Sequence, residues 1–374
     1  MLQSGRNKME NIAENGVKVA PVSRKREIGI EVLRLLSMLL IVCQHFMNHG
    51  GFIKNAGGET VFLNLLNVLF SPTVNVFILI SGYFSWRSSS FKKGKLLALY
   101  LQVAFYSILT AFFVGLFFDG VTVSNIKIFL PIISREYWFF TAYFLLMLLV
   151  PYINAMLGAI SRGMHLGLAV ATLAVGYLAS HFDIQSVLSL NWGYSLIWFV
   201  LIYIVGAYLG RYKPKIPKLC ALAAYLVTVA AQMAFKYADL SGLGDFGKLI
   251  RSTTDYNDPL TLIGAVCLVV LFLGIGDGSG RVGKAIGFIS ASTFGVYLLH
   301  EAPAVRAVLY TRIFHTEEYF GLPYSAVYVI LFAVITFAVG IAVDLVRRLI
   351  FYGVRLMWRR ISAVVKQAKN TGEA

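Results

Sequence analysis

The chain has 374 residues, of which 58% are hydrophobic and 14% charged, with a mean hydropathy of +0.73 and a net charge of +15. A soluble protein carries about 45–50% apolar and about 25% charged residues. Two soluble domains are therefore excluded, although the length alone would suit them. Collagen, coiled-coil rods and disulfide-rich modules are excluded on the same ground, leaving an all-α integral membrane protein that crosses the bilayer many times.

Lys and Arg occur in short clusters between long apolar runs, as in loops that face anionic lipid. No nucleic-acid-binding signature accompanies the charge, so no nucleic acid partner is expected. Cys43, Cys220 and Cys267 fall inside apolar runs without CxxC or Cys/His spacing, so neither a disulfide framework nor a bound metal is expected.

Residues 1–26 are polar, lack helical periodicity and read as a disordered cytoplasmic tail. A membrane domain over residues 27–350 follows, then a basic cytoplasmic segment over residues 351–374. Ten apolar runs read as spans, each needing roughly 20 residues. They lie at residues 28–46, 65–84, 96–118, 137–157, 166–182, 195–209, 219–235, 260–275, 286–300 and 324–349. An inside N-terminus puts 24 of the 33 Lys and Arg residues in cytoplasmic segments and eight in outer ones. That asymmetry is the positive-inside pattern, so both termini are expected in the cytoplasm.

An ionisable side chain inside a span is costly and marks a functional hypothesis. The first span holds Glu31, Arg34 and His45. Arg34 and His45 are 11 positions apart, which brings them within about 20° of one helix face and about 16 Å apart along the axis. Glu31 stands one turn before Arg34, where an ion pair would lower the cost of both. Snorkelling of Glu31 and Arg34 to the inner interface, and an ordinary interfacial role for His45, fit the same spacing.

The second span ends near Ser81, and its loop carries Lys92, Lys93 and Lys95. These cations suit either a phosphate-bearing ligand or lipid headgroups. The fourth span opens on Glu136, Tyr137 and Trp138, and the ninth closes on His300, at the level of His45.

Together these motifs resemble the membrane-bound acyltransferase-3 family. The resemblance rests on Glu31 to Arg34 with Gln44–His45–Phe46, on Ile80 to Phe84, on Tyr137–Trp138–Phe139 through Pro151, and on Ser292 to His300. Two departures stand out. Glu136 occupies a position that is often His in relatives, and Lys92, Lys93 and Lys95 replace a basic motif that commonly contains Arg.

The resemblance implies a multi-pass cell-membrane O-acyltransferase. It would move an acyl group, usually acetyl from cytoplasmic acetyl-CoA, to a hydroxyl of an extracytoplasmic or lipid-linked glycan. No bound cofactor is implied, and the partners are acyl-CoA, the glycan and the bilayer. His45 would be the general base or a transient acyl acceptor, because imidazole titrates near neutral pH. Arg34, Lys92, Lys95 and Ser81 would serve the donor side. Glu136, Trp138 and His300 would shape the acceptor side, and Glu31 would pair with Arg34. A transporter or flippase of a lipid-linked glycan or small anion also accommodates buried charge, but no internal repeat supports it.

Overall fold

The computed structural model describes residues 27–90, 93–118, 130–132, 137–182, 184–238, 254–276 and 278–371. Within them the chain forms α1 (Ile28–Asn48), α2 (Thr60–Phe70), α3 (Thr73–Ser85), α4 (Lys93–Phe117), α5 (Trp138–Ala159) and α6 (Arg162–His181). After these come α7 (Leu196–Tyr212), α8 (Lys218–Tyr237), α9 (Pro259–Phe272), α10 (Arg281–Ser290), α11 (Thr293–His300), α12 (Pro303–Val308) and α13 (Ser325–Thr371). Several starts are written in the sequence. Ser161 and Ser195 cap α6 and α7 by accepting from Met164 N and Trp198 N, and Asp258 caps α9 ahead of Pro259.

Among the described residues eight segments, not ten, are long and apolar enough to cross a membrane. The expected sixth and eighth spans are shorter helices, α7 with 17 residues and α9 with 14. At 1.5 Å per residue they reach about 26 and about 21 Å, short of a hydrocarbon core of about 30 Å. Their setting explains the length. Helix α7 lies against α3, α5 and α6, and α9 against α3 and α8. Elements enclosed by protein have less lipid to match than those on the outside.

Two of the eight segments are interrupted. Gly57–Ser85 breaks at Ser71–Pro72 between α2 and α3, and Arg281–His300 breaks at Ala291–Ser292 between α10 and α11. The last helix runs for 47 residues, about 70 Å. No helix break therefore separates the expected membrane domain from the basic segment at residue 350.

Helices α3 and α7 approach closely because glycines face each other's backbone. A methyl group on Gly82 would strike the Tyr203 carbonyl, and one on Gly206 would strike that of Leu79. Small residues permit such crossings where packing, rather than water exclusion, holds helices together. Gly206→Val is expected to cost about 1–3 kcal/mol, seen as a lower melting temperature of the protein in detergent micelles.

Most of the apolar core falls into two parts. One gathers Leu79, Ile80, Trp198, Phe199 and Tyr203 around α3 and α7. The other gathers Met38, Phe46, Tyr106, Val296, Tyr297 and Val329 around α1, α11 and α13. Residues of both parts, Ile80 of one and Met38 and Tyr297 of the other, line one internal cavity.

Candidate active site

The stripe Arg34, Met38, Ile41 and His45 on α1 forms one wall of that cavity, which has a volume of about 300 Å³. The intervals of four, three and four residues keep all four side chains on one helical face. Ser81 and Phe77 of α3, Trp138, Phe139 and Tyr143 of α5, and Ser290, Thr293 and Tyr297 around the α10–α11 break complete the enclosure.

At one end, Arg34 donates through one nitrogen to both Glu31 oxygens at 3.1 and 3.2 Å. Glu31 also accepts from the Ser290 hydroxyl, which ties α1 to α10. The paired carboxylate offsets part of the cost of holding a guanidinium at this depth. Ser81 donates to the Phe77 carbonyl at 2.9 Å, and its Oγ lies 3.3 Å from the Tyr143 hydroxyl, from which it can accept.

At the other end, His45 Nδ1 and His300 Nε2 are 2.9 Å apart. Glu301 Oε1 lies 3.2 Å from the same His45 nitrogen. Hydrogen bonding settles the tautomers. His300 Nδ1 is 2.6 Å from the Val296 carbonyl, which can only accept, so that nitrogen carries the proton. In the neutral ring His300 Nε2 then offers a lone pair, and His45 Nδ1 must donate to it. His45 Nε2 is left as the basic nitrogen. Arg306 reaches the second Glu301 oxygen at 3.5 Å, and Glu301 is only 5% exposed. His49, just beyond α1, has its ring 5.2 Å from that of His45. Burial lowers its pKa below the ordinary imidazole value.

An aromatic cluster flanks this end. Trp138 stacks on Tyr256 at 6.0 Å, and Tyr194 sits 4.5 Å from Trp138 and 4.8 Å from Tyr256. Burial raises both phenol pKa values, so the hydroxyls stay protonated and can donate. Tyr194 remains 43% exposed, so the cluster has an open side.

Of the residues singled out in the sequence, Arg34, His45, Ser81 and Trp138 line the cavity, His300 meets His45, and Glu31 pairs with Arg34. Lys95 lies apart. It lines a second cavity of about 280 Å³ with Ser85, Ser88 and Ser90, and the two cavities share Leu99 and Tyr143 as walls. Lys92 and Glu136 lie outside the described residues.

Two residues escaped sequence reasoning. Glu301 follows His300 directly and is the partner His45 lacks in sequence. Asp344 lies inside the last apolar run, where the rule that picked out Glu31 applies equally. It is fully buried and accepts from Arg347 at 2.7 Å, Tyr106 at 3.0 Å and Gln102 at 3.3 Å. Gly295 of α11 packs on this carboxylate so closely that a Cβ there would overlap it. The contact fixes α11, and with it His300, against α4 and α13.

No metal was expected from the sequence, yet His45, His300 and Glu301 bring three ligand atoms within 4.8 Å of one another. No curated protein and no solved structure matches the chain. The family model described as an acyltransferase domain matches residues 27–345, nearly the whole set of helices that encloses the cavity. An imidazole dyad at one end of a buried cavity and a guanidinium at the other, inside a match of that extent, lead to one conclusion: the chain belongs to the acyltransferase-3 family.

Proposed function

We propose that this protein is a multi-pass cell-membrane O-acyltransferase. It moves an acyl group, acetyl from acetyl-CoA, to a hydroxyl of an extracytoplasmic or lipid-linked glycan. The Arg34 end of the cavity faces the cytoplasm and the His45 end faces outward, following the distribution of Lys and Arg along the chain. The observation that carries this reading is the single cavity joining Arg34 to His45. Its depth along α1, about 16 Å, suits a pantetheine arm reaching inward from the cytoplasmic side.

In this reading Arg34 orders the donor arm and Lys95 holds CoA phosphates at the adjoining cavity, with Lys92 and Ser81 on the same side. Trp138, Tyr194 and Tyr256 offer ring faces to a sugar, and Glu136 and His300 belong to the acceptor side. His45 Nε2 takes the proton of the acceptor hydroxyl as its oxygen attacks the thioester carbonyl. The tetrahedral intermediate collapses to the ester and expels the CoA thiolate, which takes the proton from the imidazolium. Glu301 and the His300 lone pair stabilise that imidazolium, and no bound cofactor takes part.

The test is alkali-labile acetate on the surface glycan of cells carrying the wild-type protein, His45→Ala or no protein. Ester in the wild type, falling to the level of the empty strain in His45→Ala at equal protein level, is the expected result. Equal ester in all three strains with altered glycan export would overturn the reading and favour the transporter.

A further inference from the structure

We propose that His45, His300 and Glu301 form a binding site for a divalent transition metal of the zinc class, whose occupancy removes the catalytic base. The binding half stands on geometry alone, while the regulatory half rests on the acyl-transfer reading. The donors are His45 Nδ1, His300 Nε2 and Glu301 Oε1, all within 4.8 Å of one another. A metal about 2.0–2.1 Å from each ligand sets neighbouring donors about 2.9 Å apart in octahedral geometry and about 3.3 Å apart in tetrahedral geometry. The two separations that involve His45, 2.9 and 3.2 Å, fall in that interval.

The surroundings match those of a ligand set. The Val296 carbonyl accepts from His300 Nδ1 and aims the Nε2 lone pair at the centre, the arrangement usual around metal-binding imidazoles. Arg306 steadies the other Glu301 oxygen. Glu301 Oε1 is buried and receives no well-aligned hydrogen bond, an acceptor whose need a cation would meet. Two imidazoles and one carboxylate suit zinc and its neighbours better than magnesium or calcium, which favour all-oxygen sites.

Binding has a definite consequence for the base. The metal takes the His45 Nδ1 lone pair, so the proton held there moves to Nε2 and the ring stays neutral. Nε2 then bears hydrogen instead of a lone pair and can no longer accept a proton from a hydroxyl.

The experiment is calorimetric titration of the full-length protein in detergent micelles with Zn²⁺ alone, followed by Cu²⁺ binding read by electron paramagnetic resonance. One site per chain is expected, weakened at least tenfold in His300→Gln and in Glu301→Gln, with no response to Mg²⁺. The Cu²⁺ spectrum of the wild-type protein should show coupling to two imidazole nitrogens, a readout that needs no variant to fold. Absence of stoichiometric binding, or binding unchanged in both variants, overturns the site. Zn²⁺ should also abolish acyl transfer, and a chelator should restore it. If Zn²⁺ binds while transfer proceeds, the regulatory half fails. If the metal-free protein shows no transfer, the acyl-transfer reading and its regulation fail, and the binding site stands.

Discussion

Purified protein carrying His45→Gln is expected to transfer acyl groups about 10²–10⁴-fold more slowly than wild type, the usual contribution of a positioned general base. Donor binding should be nearly unchanged, because His45 and Arg34 stand at opposite ends of the cavity. Glutamine retains a polar side chain near His300 but has no titratable nitrogen, so the loss reports proton transfer rather than a collapsed wall. Arg34→Lys should behave in the opposite way and raise the donor KM, because an ammonium cannot reproduce the planar guanidinium fork. Rapid quenching of wild-type protein with labelled donor and no acceptor separates the two roles open to His45. A base leaves no covalent label, whereas an acyl carrier gives a burst of labelled protein. A His45→Gln enzyme with wild-type kcat would dispose of both roles.

The second large effect is structural. Asp344→Ala removes the carboxylate that receives Arg347, Tyr106 and Gln102, and it leaves a guanidinium with only 10% side-chain exposure uncompensated. Breaking a buried pair from one side costs about 3–5 kcal/mol. A fall of many degrees in the melting temperature of the micellar protein is the expected readout. Asp344→Asn, which can still accept from Tyr106 and Gln102, should lose less. An Asp344→Ala protein that melts with the wild type would show that the cluster holds nothing together.

The ends of the site differ in how far the sequence exposes them. The Arg34–His45 stripe is legible because helical period alone decides which residues of one helix share a face, and Met38 and Ile41 fall between them on the same wall. The Glu31–Arg34 pair is legible for the same reason. The contact of His45 with His300 spans 255 positions, and no local rule supplies it; the order of the spans puts the two residues only at one level. Glu301 was passed over because an acidic residue at the end of an apolar run reads as interfacial, and only tertiary packing buries it. The two short helices read as full spans for a related reason. Hydropathy counts apolar residues but cannot tell lipid from protein as the neighbour of α7 and α9. Charge alone suits Lys95 to either a phosphate ligand or lipid headgroups, and the side chain lies on a second cavity that meets the first at Leu99 and Tyr143.

The placement of Arg34 bears on energy conservation in the cell as much as on chemistry. A void of about 300 Å³ has room for roughly ten waters at their liquid density, and a water file between two aqueous compartments would let protons run down the membrane potential. A fixed cation in a narrow, low-dielectric passage opposes that current, as positive charges do in pores that conduct water but exclude protons. In the proposed orientation Arg34 would oppose such a current while leaving the passage usable by an anionic, phosphate-bearing reactant.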